Sequence, residues 1–362
     1  MSEVGLPKHE LDTPVLWVDL DKLEENIRLL ADYFRQAGVQ WRPHTKGMKV
    51  PAIAHLAIET GAIGVTCAKL GEAEVMAAAG IKDILIANEV VGPHKIKRLV
   101  HLQRQAEVKV AVDSEVNAQA IGQAAREIGV EVGVLVDVDN GMMRAGVPPG
   151  NAALALSQRV HDIEGLRYRG LMAWEGHAVA ITNADEKQTT IEKAISALAE
   201  TADLCREAGL PVEIVSGGGS GTYLISAELS GLTEIQAGGA IFCDARYRAW
   251  GAHTTPSLFV QAVVTSRPTP DRIIIDAGYK SLPGWHGSPE AIGLSGVKSI
   301  GFSAEHGTIR LEAPNTTVQV GDLLDFIVGY GDSTVYLHDQ LYGIRHGLVE
   351  VVWDIAGRGK LR

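Results

Sequence analysis

Asp83-Ile84-Leu85-Ile86-Ala87, Val108-Lys109-Val110-Ala111-Val112 and Val132-Gly133-Val134-Leu135-Val136 are three short apolar runs, each of which reads as a buried strand. Most runs of this kind in the chain are followed by an Ala/Glu-rich stretch of helical pattern. The unit extends outward in both directions. Upstream lie Val15-Leu16-Trp17-Val18 and Ile63-Gly64-Val65-Thr66, and downstream lie Gly170-Leu171-Met172-Ala173 and Val212-Glu213-Ile214-Val215. After the first run, Asp21 is expected to open a helix with Glu24 as its capping-box partner. Leu23, Ile27, Leu30 and Phe34 follow at helical spacing. A βα unit repeated over roughly 230 residues implies a parallel sheet. About eight such units suit a (β/α)8 TIM-type barrel better than a doubly wound sheet.

Past roughly residue 250 the period changes to two. Leu258, Val260, Ala262 and Val264 alternate, as do Val349, Val351 and Trp353. Arg272-Ile273-Ile274-Ile275 and Leu323-Leu324-Asp325-Phe326-Ile327-Val328 are short and bounded by turns. The expected organisation is therefore a barrel over 13–250 and an antiparallel β domain over 251–362, with residues 1–12 packing with the second. No Pro/Gly/Ser linker separates the two.

A chain of 362 residues with 46% hydrophobic content can fill two cores. A net charge of -11 with no Lys/Arg-rich tract argues against nucleic acid as a partner. The N-terminus has no apolar h-region, and no apolar run approaches ~18 residues, so neither secretion nor a membrane span is expected. Cys67, Cys205 and Cys243 are odd in number and scattered, which argues against a disulfide framework or a structural zinc site. A cytoplasmic enzyme is the expectation.

Lys46 stands in Arg42-Pro43-His44-Thr45-Lys46-Gly47-Met48-Lys49, after one strand signal and before a helix. Barrel chemistry sits at the C-terminal ends of strands. A lysine there, beside His44 and a second lysine, has the surroundings of an aldehyde-capturing amine, because a neighbouring cation lowers the amine pKa. A solvated basic loop is the other reading of this run. Counting from Val15, Lys46 follows the second strand, and Asp137-Val138-Asp139-Asn140-Gly141-Met142-Met143-Arg144-Ala145-Gly146 follows the sixth, offering Arg144 to an anionic oxygen. Ser216-Gly217-Gly218-Gly219-Ser220-Gly221-Thr222 follows a late strand, where such barrels hold phosphate. It is no Walker A loop, since no Gly-Lys-Ser/Thr follows, and it comes too late for a Rossmann fingerprint. Gly238-Gly239 could close the same pocket. A reactive lysine, an arginine near an oxyanion and a phosphate cradle together fit pyridoxal 5'-phosphate.

With these motifs, and with Asp276-Ala277-Gly278-Tyr279-Lys280, the sequence resembles the D-threonine aldolase/D-serine dehydratase family of the alanine racemase-like fold. The resemblance runs from about Thr13 to near the C-terminus. It implies a homodimer with active sites near the subunit interface, Lys46 as the Schiff-base lysine, and Arg144 beside the phenolic oxygen of the cofactor. His44, Trp174, Ser216, Gly219, Ser220, Gly221, Thr222, Gly238 and Gly239 are the remaining expected cofactor contacts. In Trp174-Glu175-Gly176-His177, the family leads one to expect tyrosine at the first position. The family also binds a divalent metal through a His-x-Cys or His-x-Asp pair on the β domain. Here that segment reads Gly329-Tyr330-Gly331-Asp332, with Tyr330 in place of the His. A neutral phenol is a poor zinc ligand, so Asp332 and Tyr330 are expected to favour Mn²⁺ or Mg²⁺ over zinc, or no metal at all. His338 is a candidate substitute ligand.

The resemblance implies a lyase acting on a D-configured β-hydroxy-α-amino acid, with Lys46, Tyr330 and Asp332 as its catalytic residues. An Asp at the second metal position leans to an aldolase giving glycine and an aldehyde. The alternatives are a D-serine or D-3-hydroxyaspartate type of dehydratase, a racemase with Tyr247 or Tyr279 as second base, and a non-catalytic carrier of the cofactor.

Overall fold

The computed structural model describes residues 3–362. Its strands, in chain order, are β1 (Val15–Asp19), β2 (Gln40–Trp41), β3 (Val65–Cys67), β4 (Asp83–Glu89), β5 (Glu107–Val112), β6 (Val132–Asp137), β7 (Leu166–Met172), β8 (Ile214–Gly217) and β9 (Glu234–Ile235). There follow β10 (Leu258–Thr269), β11 (Arg272–Ile275), β12 (Glu290–Ala291), β13 (Val297–Phe302), β14 (Gly307–Leu311), β15 (Leu323–Ile327), β16 (Gln340–Arg345) and β17 (Leu348–Asp354).

β2 to β9 form one eight-stranded sheet in the order β2-β9-β8-β7-β6-β5-β4-β3, all parallel. A His44–Thr66 bridge closes it, with Thr66 N–H donating to Pro43 O (3.0 Å) and Ile63 N–H to Trp41 O (2.9 Å). Helices follow most strands, among them Pro51–Thr60, Leu70–Ala78, Pro93–Leu102, Glu115–Ile128, Asn151–His161 and Ala184–Glu207. Strands covered on both faces need apolar residues at nearly every position, which is why the runs are continuous rather than alternating. Leu85, Ala111, Leu135, Met172 and Ile214 make one buried cluster of this core.

The second sheet runs β13-β14-β11-β10-β1-β16-β17, with β15 paired to β10 and β12. Its pairs are antiparallel except β1–β16. β1 therefore does not lead the barrel series. It pairs with β10 through Val15–Gln261 to Val18–Leu258. A four-residue apolar run shows that a strand is buried on both faces but not which sheet buries it. The count shifts accordingly: Lys46 follows the first barrel strand and Asp137 ends the fifth. The expected cap shifts as well. Asp19 accepts the Lys22 N–H (3.2 Å), while Asp21 and Glu24 pair with Arg345.

The compact units are drawn differently from the expected 13–250 and 251–362. One holds residues up to Leu29, Gly47–Ala52 and Gly239–Arg358; the other holds Leu30–Lys46, Ile53–Gly238 and Gly359–Arg362. The chain passes between them at five bonds, two of which are Lys46–Gly47 and Gly238–Gly239.

Candidate active site

In the barrel unit, Lys46 lies on a single helical turn (Thr45–Gly47) at the C-terminal end of β2. Three contacts fix that turn. Thr45 Oγ1 donates to Thr66 O (3.1 Å, buried), the Lys46 N–H donates to His44 Nδ1 (3.3 Å), and the His44 N–H donates to Gln236 O (3.3 Å). Gly238 is a glycine because its Cα lies against the His44 backbone: a Cβ there would stand 2.7 Å from His44 N. Lys46 and His44 are both half-buried.

Arg144 sits on the loop that leaves β6. Asp139 Oδ1 accepts the N–H groups of Gly141 (3.1 Å) and Met143 (2.8 Å), and the Val147 N–H returns to Asp137 O (3.0 Å). Asp137 is buried beside Glu89, which ends β4, and Glu89 Oε1 is buried without a hydrogen-bond partner. Burial first, and the Glu89 carboxyl second, push the Asp137 carboxyl up to about 7, against the pull of Arg144.

The glycine-rich loop after β8 carries a feature that sequence reasoning missed. Glu175, fully buried, accepts from Thr222 Oγ1 (2.6 Å), Ser226 Oγ (2.8 Å) and the Gly218 N–H (3.3 Å). The Gly219 N–H donates to Thr222 Oγ1 (3.1 Å). The N–H groups of Gly218 and Gly219 are thus satisfied within the protein, whereas that of Gly221 has no protein partner among the described residues. Gly219 is required for a different reason: an added Cβ would enter the Trp174 ring. Ser216 Oγ accepts from Gln236 Nε2 (2.9 Å). Lys46, His44, Arg144, Trp174, the Gly218–Thr222 loop and Gly238 all follow the C-terminal ends of barrel strands, and Ser216 is the next-to-last residue of β8, at the face where this architecture places its chemistry.

In the other unit the structure gathers Tyr330, Asp332 and Gly239 with residues the sequence reading had not joined to them. Tyr330 Oη donates to Asp332 Oδ2 (3.0 Å), and Tyr247 Oη donates to the Asp332 carboxylate (3.3 and 3.4 Å). Asp244, buried, holds both segments of the cluster by accepting the Gly331 N–H (2.6 Å) and the Tyr247 N–H (2.8 Å). Burial pushes the Asp244 carboxyl up to about 8, against these N–H bonds and with help from Asp332. Tyr247, Trp250 and Tyr330 pack ring to ring at 5.5–5.9 Å. Burial first, then the Asp332 charge, raise both phenols well above their ordinary range, so both are neutral donors at pH 7. Gly239 makes room for the Tyr247 ring. Gly47, next in the chain to Lys46, lies with its Cα against the Asp332 carboxylate.

The donors around Asp332 do not fit the family's metal. Among the described residues, no three His, Cys, Asp or Glu side chains are gathered in a way that could hold a metal ion. His338 does not substitute: its Nε2 is bonded to Ser281 O (2.8 Å), and burial lowers its pKa. Tyr279, the other tyrosine considered for a racemase, packs against Trp285 in a tilted contact, with ring centroids 5.5 Å apart.

Comparison with known proteins agrees with this architecture. Residues 18–246 match the family described as alanine racemase, N-terminal domain, and residues 257–344 match a putative serine dehydratase domain. A D-threonine aldolase of Arthrobacter sp. is 38% identical over 99% of this chain and 96% of that protein. A 3-hydroxy-D-aspartate aldolase of Paracoccus denitrificans is 34% identical over 98% and 94%. The crystal structure of D-threonine aldolase from Filomicrobium marinum superposes with a TM-score of 0.96 at 34% identity, covering 100% of both chains.

Proposed function

This chain belongs to the alanine racemase N-terminal domain family, and we propose that it is a pyridoxal 5'-phosphate-dependent lyase, an aldolase that cleaves a D-configured β-hydroxy-α-amino acid to glycine and an aldehyde. The observation that carries the reading is Lys46 on its pinned turn at the end of the first barrel strand, in a chain that matches D-hydroxyamino-acid aldolases over its full length. The residues present fit the cofactor: a half-buried amine, a cation on the loop after β6, and a late-strand glycine loop in which the Gly221 N–H has no protein partner among the described residues. When bound, the cofactor supplies an electron sink for the pair released as a bond to Cα breaks.

Lys46 would hold the cofactor through its amine, with the His44 ring nitrogen fixing the Lys46 backbone. Arg144 would face the phenolic oxygen, and the Ser220–Gly221 turn the phosphate. Trp174 offers a ring face, and Glu175 keeps the loop in shape from below. Cleavage between Cα and Cβ requires the β-hydroxyl to lose its proton, and Tyr330 and Asp332 are the groups assigned to it.

The same reading expects a homodimer and a cytoplasmic location. Three buried free cysteines suit a reducing compartment, and among the described residues no helix is long and apolar enough to cross a membrane. Light scattering tests the first.

The test of the activity is incubation of the cofactor-loaded enzyme with D-threonine, D-serine and D-3-hydroxyaspartate, scoring glycine plus aldehyde against 2-oxo acid plus ammonia. Glycine and aldehyde are expected, with borohydride trapping the cofactor on Lys46 and the trapped adduct absent in Lys46→Ala. A 2-oxo acid as the main product would make the enzyme a dehydratase, and an adduct on Lys49 would overturn the Lys46 assignment.

A further inference from the structure

The disagreement between the Asp332 cluster and a metal site has a chemical consequence. A carboxylate flanked by two neutral phenols is a poor cage for a divalent cation, which takes charged oxygens, carbonyls or imidazoles. It is a good arrangement for moving a proton. Tyr330 Oη lies 3.0 Å from Asp332 Oδ2, within direct transfer reach, and Tyr330 is half-buried where Tyr247 is fully buried. Tyr247 bridges both oxygens of the carboxylate at 3.3 and 3.4 Å, and its position is set by the Asp244 bond to its N–H and by the room that Gly239 leaves for its ring. Within the same unit, the Gly47 Cα lies against the Asp332 carboxylate, which leaves no room for a side chain there.

We propose that Tyr330, Asp332 and Tyr247 form a metal-independent proton relay for the β-hydroxyl, an inference that rests on the aldolase reading above. The hydroxyl proton of the substrate passes to the Tyr330 oxygen as Tyr330 passes its own proton to Asp332. The O–H pair becomes the second bond of the aldehyde C=O, and the Cα–Cβ pair stays with the glycine fragment. That fragment takes up one proton at Cα, so substrate and products balance without an oxidant or reductant. Tyr330 is the catalytic residue of the relay. Tyr247 is a positioning residue that holds the carboxylate in line.

The experiment uses the cofactor-loaded enzyme and D-threonine, before and after exhaustive chelation, with the metal content of the chelated sample measured by elemental analysis. Cleavage is expected to continue at an unchanged rate in metal-free enzyme, and added Mn²⁺ should not raise it. Tyr330→Phe should lower kcat by about 100-fold or more, the scale of general acid–base catalysis, while the visible absorption of the bound cofactor is unchanged. Tyr247→Phe should lower kcat by about 10-fold at constant KM. Titration of Mn²⁺ followed by electron paramagnetic resonance is the readout that does not depend on turnover. No binding is expected in the wild type, and Tyr330→His is expected to create it. Stoichiometric Mn²⁺ binding by the wild type that Asp332→Ala removes would overturn the relay while leaving the aldolase reading intact, and so would activity that chelation abolishes and Mn²⁺ restores. Failure of all three substrates under every metal condition would instead bring down the aldolase reading, and the relay with it.

Discussion

Asp137 and Glu89 show how much a single buried carboxyl can say about the site around it. Burial raises the Asp137 carboxyl first, the Glu89 carboxyl adds to that, and Arg144 opposes both, leaving it at about 7. In the unfolded chain an Asp titrates near 3.9. The folded pKa lies above the unfolded one, so the stability linked to this proton is fully present below about pH 4 and is lost as pH rises through 7. Asp137→Asn removes the titration. The wild-type melting temperature should therefore fall relative to Asp137→Asn between pH 4 and 7.5, and parallel curves would show that the proton is not held. Individual residues were unevenly legible. Lys46 is conspicuous in the sequence because a lysine at a strand end carries recognisable chemistry, and the structure places it on a turn at such an end. Glu175 could not, although its motif was noted, because nothing local distinguishes a buried acid that braces a loop from an exposed one. Tyr247 was considered only as a racemase base, because its partner Asp332 lies 85 residues away in sequence.

At the scale of the element, packing inside the protein accounts for part of the glycine content of the loop after β8. Two of its N–H groups are turned inward to Glu175 and Thr222. Gly219 is small because the Trp174 ring occupies the space a side chain would need. Gly219→Ala should therefore act as an overpacking substitution, costing about 1–3 kcal/mol and loosening the cofactor together with the loop. Trp174→Phe, which shortens the ring, should recover more than half of that loss in the double variant. Unfolding midpoints of the single and double variants check this; strictly additive losses would mean that the two side chains do not meet. β1 is the element the sequence misplaced. Its apolar run is of the same kind as those of the barrel strands, and the information that assigns it lies in β10 and β16, more than 230 residues downstream.

Across the barrel unit, a connected set of ion pairs gathers the carboxylates that open three strands, Asp83 of β4, Glu107 of β5 and Glu234 of β9. Arg42, 1% exposed, bonds Glu234 through Nε (3.0 Å) and Asp83 through Nη1. Lys109, also 1% exposed, bonds Asp83 (2.9 Å) and Glu107 (3.1 Å), and Arg169 continues from Glu107 (2.6 Å) to Glu213 (2.8 Å). Two fully buried cations are tolerated only because each has two carboxylate partners, and removing one partner from a buried pair costs several kcal/mol in the unscreened case. Asp83 is the shared partner. Its burial works against the charged form, but Arg42 and then Lys109 outweigh it and hold the carboxyl below its usual range. A folded pKa below the unfolded one gives stability that is present above the unfolded value and is lost as pH falls through the folded value. Asp83→Asn should therefore destabilise the protein at pH 7 by about 1–2 kcal/mol, reduced from the buried-pair figure because Asp83 is a third exposed and Glu234 and Glu107 remain. The deficit should shrink below about pH 4, where the Asp83 carboxylate of the unfolded wild-type chain begins to take up its proton while the folded one still resists it. Denaturant melts of the two proteins at pH 7 and pH 3.5 decide the matter. A deficit of the same size at both values would mean that Asp83 stabilises by packing and hydrogen bonding rather than by its charge.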